Sequence, residues 1–156
     1  MAKELLLFEL NTVRDWTMSV FDKINEEDMH HIPEGFNNSL HWQFGHVATM
    51  MEMVTAAVTD KNTDTHKKYA KYFGTGTSPD DFDDDTPDTK EIEALLRGHM
   101  ARLEDVEEEV LQEDLPREFM GMTKRYEQVG FVALHEAMHV GKMQEMKRVL
   151  DNRGVS

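Results

Sequence analysis

The stretch Leu40-His-Trp-Gln-Phe-Gly-His-Val-Ala-Thr-Met-Met-Glu-Met-Val-Thr-Ala-Ala-Val58 carries the pattern that decides the fold. Its apolar side chains recur at spacings of three and four residues, which predicts a helix with a continuous apolar face. That face is formed by Leu40, Phe44, Val47, Met51, Val54 and Val58. The rows on either side are also largely apolar, so we expect this helix to be buried over most of its surface. Ser39 or Asn38 can cap its first turn.

Three further segments of the chain have helical periodicity. They cover about residues 3–25, about residues 87–110 and about residues 126–152. No convincing strand pattern lies between them. Four amphipathic helices of this length predict an all-α fold, a four-helix bundle, and we expect a single domain over residues 1–156.

The connection between the second and third predicted helices, residues 59–88, is long enough to cross the bundle. We therefore expect a long crossover connection at this point. Tyr69, Tyr72 and Phe73 lie in its middle, which predicts that part of it packs as a short helix or a lid. Its acidic end, residues 80–88, lacks the glycine and the final glutamate of a calcium-binding loop and is expected to be solvated.

Composition excludes several classes of function. The chain of 156 residues has no cysteine, so disulfides, thiolate zinc sites and cysteine nucleophiles are ruled out, and a reducing, cytoplasmic location is expected. A formal net charge of −14 repels phosphate backbones and anionic lipid, so we expect no nucleic-acid partner and no membrane partner. No segment is long and apolar enough to suggest a membrane span.

The most informative polar residues are His135 and His139, four residues apart on the last predicted helix. This spacing places two imidazoles on one helical face, about 5–6 Å apart at Cβ, within reach of one metal ion. His46 stands in a similarly apolar context on the second helix. Three neutral histidines from two facing helices would form a tripod with open metal positions, as in catalytic sites. The alternative is that His46 is a core histidine with an ordinary hydrogen-bond partner.

Glu136 extends the pair to the pattern His-Glu-x-x-His, which is typical of zinc metalloproteases. No histidine follows His139, so the downstream third ligand of those enzymes is missing. We expect Glu136 instead to face solvent or to orient an imidazole N–H. His99, on the apolar face of the third helix, is expected to be a hydrogen-bonded core histidine and not a ligand.

Two blocks together resemble the DinB-like superfamily. The first, Pro33-Glu-Gly-Phe-Asn-Asn-Ser-Leu-His-Trp-Gln-Phe-Gly-His46, resembles its second-helix signature, and the second, His135-Glu-Ala-Met-His-Val-Gly141, resembles its C-terminal signature. The resemblance implies a bundle with a crossing middle connection and a metal site made by His46, His135 and His139. It also implies zinc or nickel, frequent dimers, and relatives that transfer or isomerise low-molecular-weight thiols. Family members often have Gln where this chain has Lys142, so a cation replaces a neutral amide at this position.

These observations favour a metal-dependent enzyme of the thiol S-transferase type acting on a small molecule. Asn38, Trp42 and Lys142 are candidate pocket residues, and Lys142 could hold an anionic group. Within enzymes, the alternative is a metal-dependent hydrolase. Outside enzymes, the alternatives are a non-catalytic metal-binding or ligand-binding stress-response protein, and a bundle whose histidines merely pack. A homodimer is expected from the resemblance.

Overall fold

The computed structural model describes residues 2–154 of the chain. None of the helices within these residues is long and apolar enough to cross a bilayer. In chain order the elements are α1 (Ala2–Phe21), α2 (Glu26–His30), α3 (Leu40–Val58), α4 (Asp64–Phe73), a 3₁₀ turn (Pro79–Asp81), α5 (Thr89–Glu104), α6 (Glu108–Leu111), β1 (Asp114–Phe119), β2 (Met122–Lys124) and α7 (Arg125–Asp151).

Four long helices, α1, α3, α5 and α7, dominate the architecture. Both α1 and α3 pack against α5 and α7. The mainly helical class is therefore confirmed. All six residues of the apolar face predicted for α3 are buried, and 16 of its residues are buried in all, so α3 lies at the centre of the core.

Local capping explains where the helices begin and end. The first helix ends at Phe21, earlier than predicted, because the Asn25 side chain accepts a hydrogen bond from the Asp28 amide at 2.8 Å and starts the separate helix α2. Ser39 caps α3 by accepting from the Trp42 amide. The third long helix is shorter than predicted, because the chain leaves α5 at Glu104 and forms α6 separately.

The connection from α3 to α5 contains a second layer of structure. Helix α4 packs against α3, and Tyr69, Tyr72 and Phe73 are all buried. The expectation that part of this connection packs as a short helix is confirmed. A lid function for it stays a prediction.

The prediction that the chain has no strands is wrong at residues 114–124, where β1 and β2 form a small antiparallel hairpin. Phe119 pairs with Met122, and the turn residues Met120 and Gly121 both have positive φ, +52° and +80°. Two positive φ values in a two-residue loop make a tight hairpin turn that follows the twist of the strands. Periodicity could not reveal these strands because nearly all of β1 is exposed and lacks the alternation of a half-buried strand.

A buried polar cluster links the four long helices. Arg14 on α1 donates from Nε and Nη2 to the two carboxylate oxygens of Glu136 on α7, at 2.8 and 2.9 Å. Arg14 Nη1 lies 3.3 Å from Nδ1 of His99 on α5, and His99 Nε2 lies 3.0 Å from the Glu52 carboxylate on α3. Burial lowers the pKa of His99 to about 4, so the neutral ring donates from Nε2 to Glu52. The predicted role of His99 as a hydrogen-bonded core residue is confirmed.

Candidate metal centre

Three imidazoles converge between α3 and α7. His46 Nε2 lies 3.3 Å from His135 Nε2, and His139 Nε2 lies 3.2 Å from the same atom. One ring nitrogen from each of the three residues lies within 4.8 Å of the others. Two nitrogens bound tetrahedrally to one zinc ion at about 2.0–2.1 Å are separated by roughly 3.3 Å. The observed separations therefore match two adjacent ligands of one ion.

Hydrogen bonds at the opposite ring nitrogens orient two of these imidazoles. His46 Nδ1 donates to the carbonyl oxygen of Phe73 at 2.7 Å, and His139 Nδ1 donates to Gln43 Oε1 at 2.6 Å. Because Nδ1 carries the proton in both rings, both Nε2 atoms present lone pairs. Gln43 is itself held by Asn38, whose Oδ1 accepts from Gln43 Nε2 at 2.8 Å.

The number of available protons favours a cation among the three nitrogens. With neutral rings, only His135 can bring a proton to the cluster, and one proton satisfies only one of its two short contacts. His135 Nδ1 is buried and has no hydrogen-bond partner among the residues that the structure describes. Without an ion, at least one pair of lone pairs would face each other at about 3.2–3.3 Å. A bound cation removes that repulsion, so the donor set fits a metal ion.

The electrostatics of the site keep the histidines neutral. Burial lowers the pKa of His46 and His135, and it lowers the pKa of His139 to about 3. The neighbouring rings add to the shifts at His135 and His139, and the Lys142 charge adds to those at His46 and His139. Only neutral imidazole binds a metal, so near neutral pH these residues do not have to lose protons before binding.

The three predicted pocket residues occupy different places around the centre. Trp42 stacks on His46, with ring centroids 4.8 Å apart and an interplanar angle of 9°, and its Nε1 donates to Thr77 Oγ1. Asn38 is linked to the centre indirectly, because it accepts a hydrogen bond from Gln43. Lys142 is exposed, one helical turn beyond His139. Their contact with a substrate stays a prediction.

A glycine makes the His46 arrangement possible. A Cβ atom at Gly45 would lie 2.3 Å from the Phe73 ring, so no other residue fits without displacing α4. The bare backbone lets the Phe73 ring pack against α3. This close packing brings the Phe73 carbonyl within hydrogen-bonding distance of His46.

We predict that Gly45→Ala lowers the free energy of unfolding by about 1–3 kcal/mol, because the added methyl overpacks the α3–α4 contact. Displacing the Phe73 carbonyl should also weaken metal binding by about 10–100-fold, as for other groups that orient a ligand. Denaturant unfolding and metal titration measure the two effects. Gly98→Ala on α5 is the matched control: its Cβ would meet open space, so it should stabilise the helix by about 0.5–1 kcal/mol. Equal behaviour of the two variants would contradict the steric argument.

Glu136 does not take either role expected from the sequence. It is 1% exposed, so it does not face solvent, and its carboxylate is bound by Arg14 and lies 2.5 Å from Thr17 Oγ1. Its oxygens are thus committed to α1 and not to an imidazole. The metalloprotease interpretation loses its general base for the same reason.

Sequence reasoning missed the two residues that orient the ligands, Gln43 and Phe73. Gln43 lies three residues before His46, which was a usable signal for a polar residue near the site. Phe73 contributes a main-chain oxygen, and no residue type marks that role. Away from the site, Met138 on α7 is 64% exposed and Trp16 on α1 is 52% exposed.

This geometry is found in a chain that belongs to the DinB superfamily, whose sequence profile matches residues 9–143. The family and the histidine triad together indicate a divalent metal site. No curated protein sequence matches the chain.

Among solved structures, the chain is similar to a conserved protein from Enterococcus faecalis whose crystal structure is known. The two share 13% sequence identity, the alignment covers 96% of this chain and 97% of that one, and the TM-score is 0.68. At this identity the likeness supports the fold alone.

Proposed function

We propose that this protein is a metal-dependent enzyme of the thiol S-transferase type, with His46, His135 and His139 holding zinc or nickel. The observation that carries the proposal is the convergence of three imidazoles whose ring nitrogens lie within 4.8 Å of one another, with His46 and His139 oriented by hydrogen bonds at Nδ1. Three protein ligands leave further coordination positions open, which is typical of catalytic and not of structural metal sites. Nitrogen ligands suit both metals.

A metal bound here would supply a Lewis acid that lowers the pKa of a thiol. The transfer itself would form a bond between the sulfur and an electrophilic carbon, while the leaving group departs with the electrons of the broken bond and the thiol proton passes to solvent. Residues of the chain would hold the reactants. Lys142, exposed beside the triad, is suited to pair with an anionic group of the thiol.

The hydrolase alternative needs a general base close to the metal. No carboxylate of the described residues joins the group of three histidines. Glu136, the nearest in sequence, is engaged by Arg14. These contacts favour reaction at a thiol sulfur over activation of water. A thiol can lose its proton to solvent without a dedicated base.

We further propose that the four long helices form a four-helix bundle and that the protein is a homodimer. Large apolar side chains are exposed on the outer faces of α1 and α7. Monomeric proteins rarely expose a large contiguous apolar patch. The exposed side chains are Leu5, Phe8, Trp16, Leu134 and Met138. A second copy covering this surface would bury them, and Leu134→Asp should then shift the protein toward monomer in sedimentation.

Two measurements test the proposed activity. Protein purified without a histidine tag should contain about one zinc or nickel ion per chain, and His46→Ala should contain less than about 0.2. Metal-loaded protein should then couple at least one of a panel of low-molecular-weight thiols to a monochlorobimane-type electrophile. Metal at full occupancy with no metal-dependent turnover of any thiol would favour a non-catalytic binding protein. Absence of metal would favour the alternative in which the three histidines only pack in the core.

A further inference from the structure

A cavity of about 700 Å³ lies between α3, α7 and the β-hairpin. This volume is within the range of small-molecule sites, about 300–1,000 Å³. Its walls are mainly methionine and aromatic side chains: Met50, Met53, Phe119, Met120 and Phe131. Thioether and aromatic groups of this kind contact flat π-systems favourably and adapt to irregular shapes.

Two residues that line the cavity lie one helical turn from histidines of the triad. Met50 follows His46 by four residues, and Phe131 precedes His135 by four. Each pair shares one helical face and is separated by about 6 Å along the axis. His135 is half-buried, so its side of the site is partly open. A molecule that fills the cavity would therefore have one end within a helical turn of the metal centre.

The hairpin turn suggests that Met120 is present for a reason other than stability. Its φ of +52° lies in the left-handed region, where a residue with a Cβ is strained, and a tight turn of this type favours Asn-Gly. Met120 is also 70% exposed and Phe119 is 49% exposed. A strained and exposed methionine at the cavity wall would be useful if a ligand packed against it.

The charges at the cavity specify the ligand. The only charged residues that line it within the described chain are Arg117 and Glu118, adjacent on β1 and opposite in sign. Their formal charges sum to zero, so the lining has no net charge with which to select an anion or a cation. Gln128 adds one amide that can donate and accept a hydrogen bond.

We propose that this cavity binds the neutral aromatic part of a small molecule, with the hairpin as its outer wall. The identification of this molecule as the acceptor of the thiol rests on the proposed function. The binding site itself depends only on the cavity and can be tested without a metal.

The test uses protein labelled with ¹³C at the methionine methyl groups and titrated with 2-naphthol at neutral pH. Resonances of Met50, Met53 and Met120 should shift with a common dissociation constant, and Met138 on the outer face of α7 should not. The same shifts are expected in His139→Ala, which separates ligand binding from metal chemistry. Shifts at Met138 of equal size, or no shifts up to millimolar 2-naphthol, would overturn the proposal.

Met120→Asn gives the sharper test. Asn fits the left-handed turn position better, so the melting temperature should rise by about 1–4 °C while affinity for 2-naphthol falls by about fivefold or more. Met138→Asn, the matched control, should leave the affinity unchanged. An unchanged affinity in Met120→Asn would remove the hairpin from the site. If 2-naphthol binds but Met120→Asn leaves the KM of an aromatic electrophile unchanged in the metal-loaded protein, the acceptor role fails and the binding site stands.

Discussion

Glu136→Ala should lower the free energy of unfolding by about 3–5 kcal/mol, as measured by denaturant unfolding. The substitution removes both carboxylate acceptors of Arg14, which is 4% exposed, and leaves its charge buried with only the neutral Leu96 carbonyl and His99 Nδ1 beside it. Breaking a buried pair in this way costs more than the pair contributes, because the remaining ion cannot recover its hydration. Folded proteins have about 5–15 kcal/mol of total stability, so this single substitution should remove a substantial part of it.

Two variants distinguish this cause from general damage to α7. Glu145→Ala removes an exposed carboxylate that pairs with Arg148 on the same helix, and it should cost no more than about 1 kcal/mol. The double variant Arg14→Met, Glu136→Leu removes both charges and should recover most of the lost stability. A loss in Glu136→Ala no larger than that in Glu145→Ala would contradict the buried-pair account.

Removal of the metal should lower the melting temperature of the wild-type protein by about 5–15 °C. Binding of an ion at 100 to 1,000 times its dissociation constant stabilises the folded state by about 2.7–4.1 kcal/mol, and each kcal/mol corresponds to about 2–4 °C in a chain of this length. Thermal unfolding with added zinc or nickel, and then with a chelator, measures the shift.

His139→Ala should unfold at the same temperature in metal and in chelator, because one of the three ligands is gone. His31→Ala is the control: His31 is exposed and outside the triad, so this variant should shift as the wild type does. If chelation shifts His139→Ala and the wild type by the same amount, the ion that stabilises the protein is bound elsewhere.

Apolar periodicity was sufficient to predict the long helices, because the spacing of apolar residues determines which helical face is buried. The apolar face of α3 is the clearest example, with all six predicted residues buried. The hairpin at residues 114–124 could not be predicted in this way. Its strands are mostly exposed, and its turn depends on positive φ at Met120, a residue that does not ordinarily signal such a turn.

The candidate site was predictable where helical spacing determines geometry. His135 and His139 share a face because they are four residues apart. His46 was a candidate from its apolar context on the second helix, and the resemblance to a known family assigned it as the third ligand. Glu136 was misjudged because its partner, Arg14, is 122 residues away, and a pattern within one helix carries no information on such contacts. The cavity beneath the hairpin was not anticipated because it depends on how distant segments pack.

The two oriented histidines differ in how they would tolerate divergence of the sequence. The acceptor for His139 is a side chain, so any change at Gln43 to a residue without a suitably placed oxygen abolishes it. The acceptor for His46 is a peptide oxygen, which every residue type at position 73 would supply. The side chain at position 73 can therefore change only to one that still fits against the backbone at Gly45. The tautomer of His139 therefore depends on the side chain at position 43, whereas the tautomer of His46 depends only on the packing that places the Phe73 carbonyl.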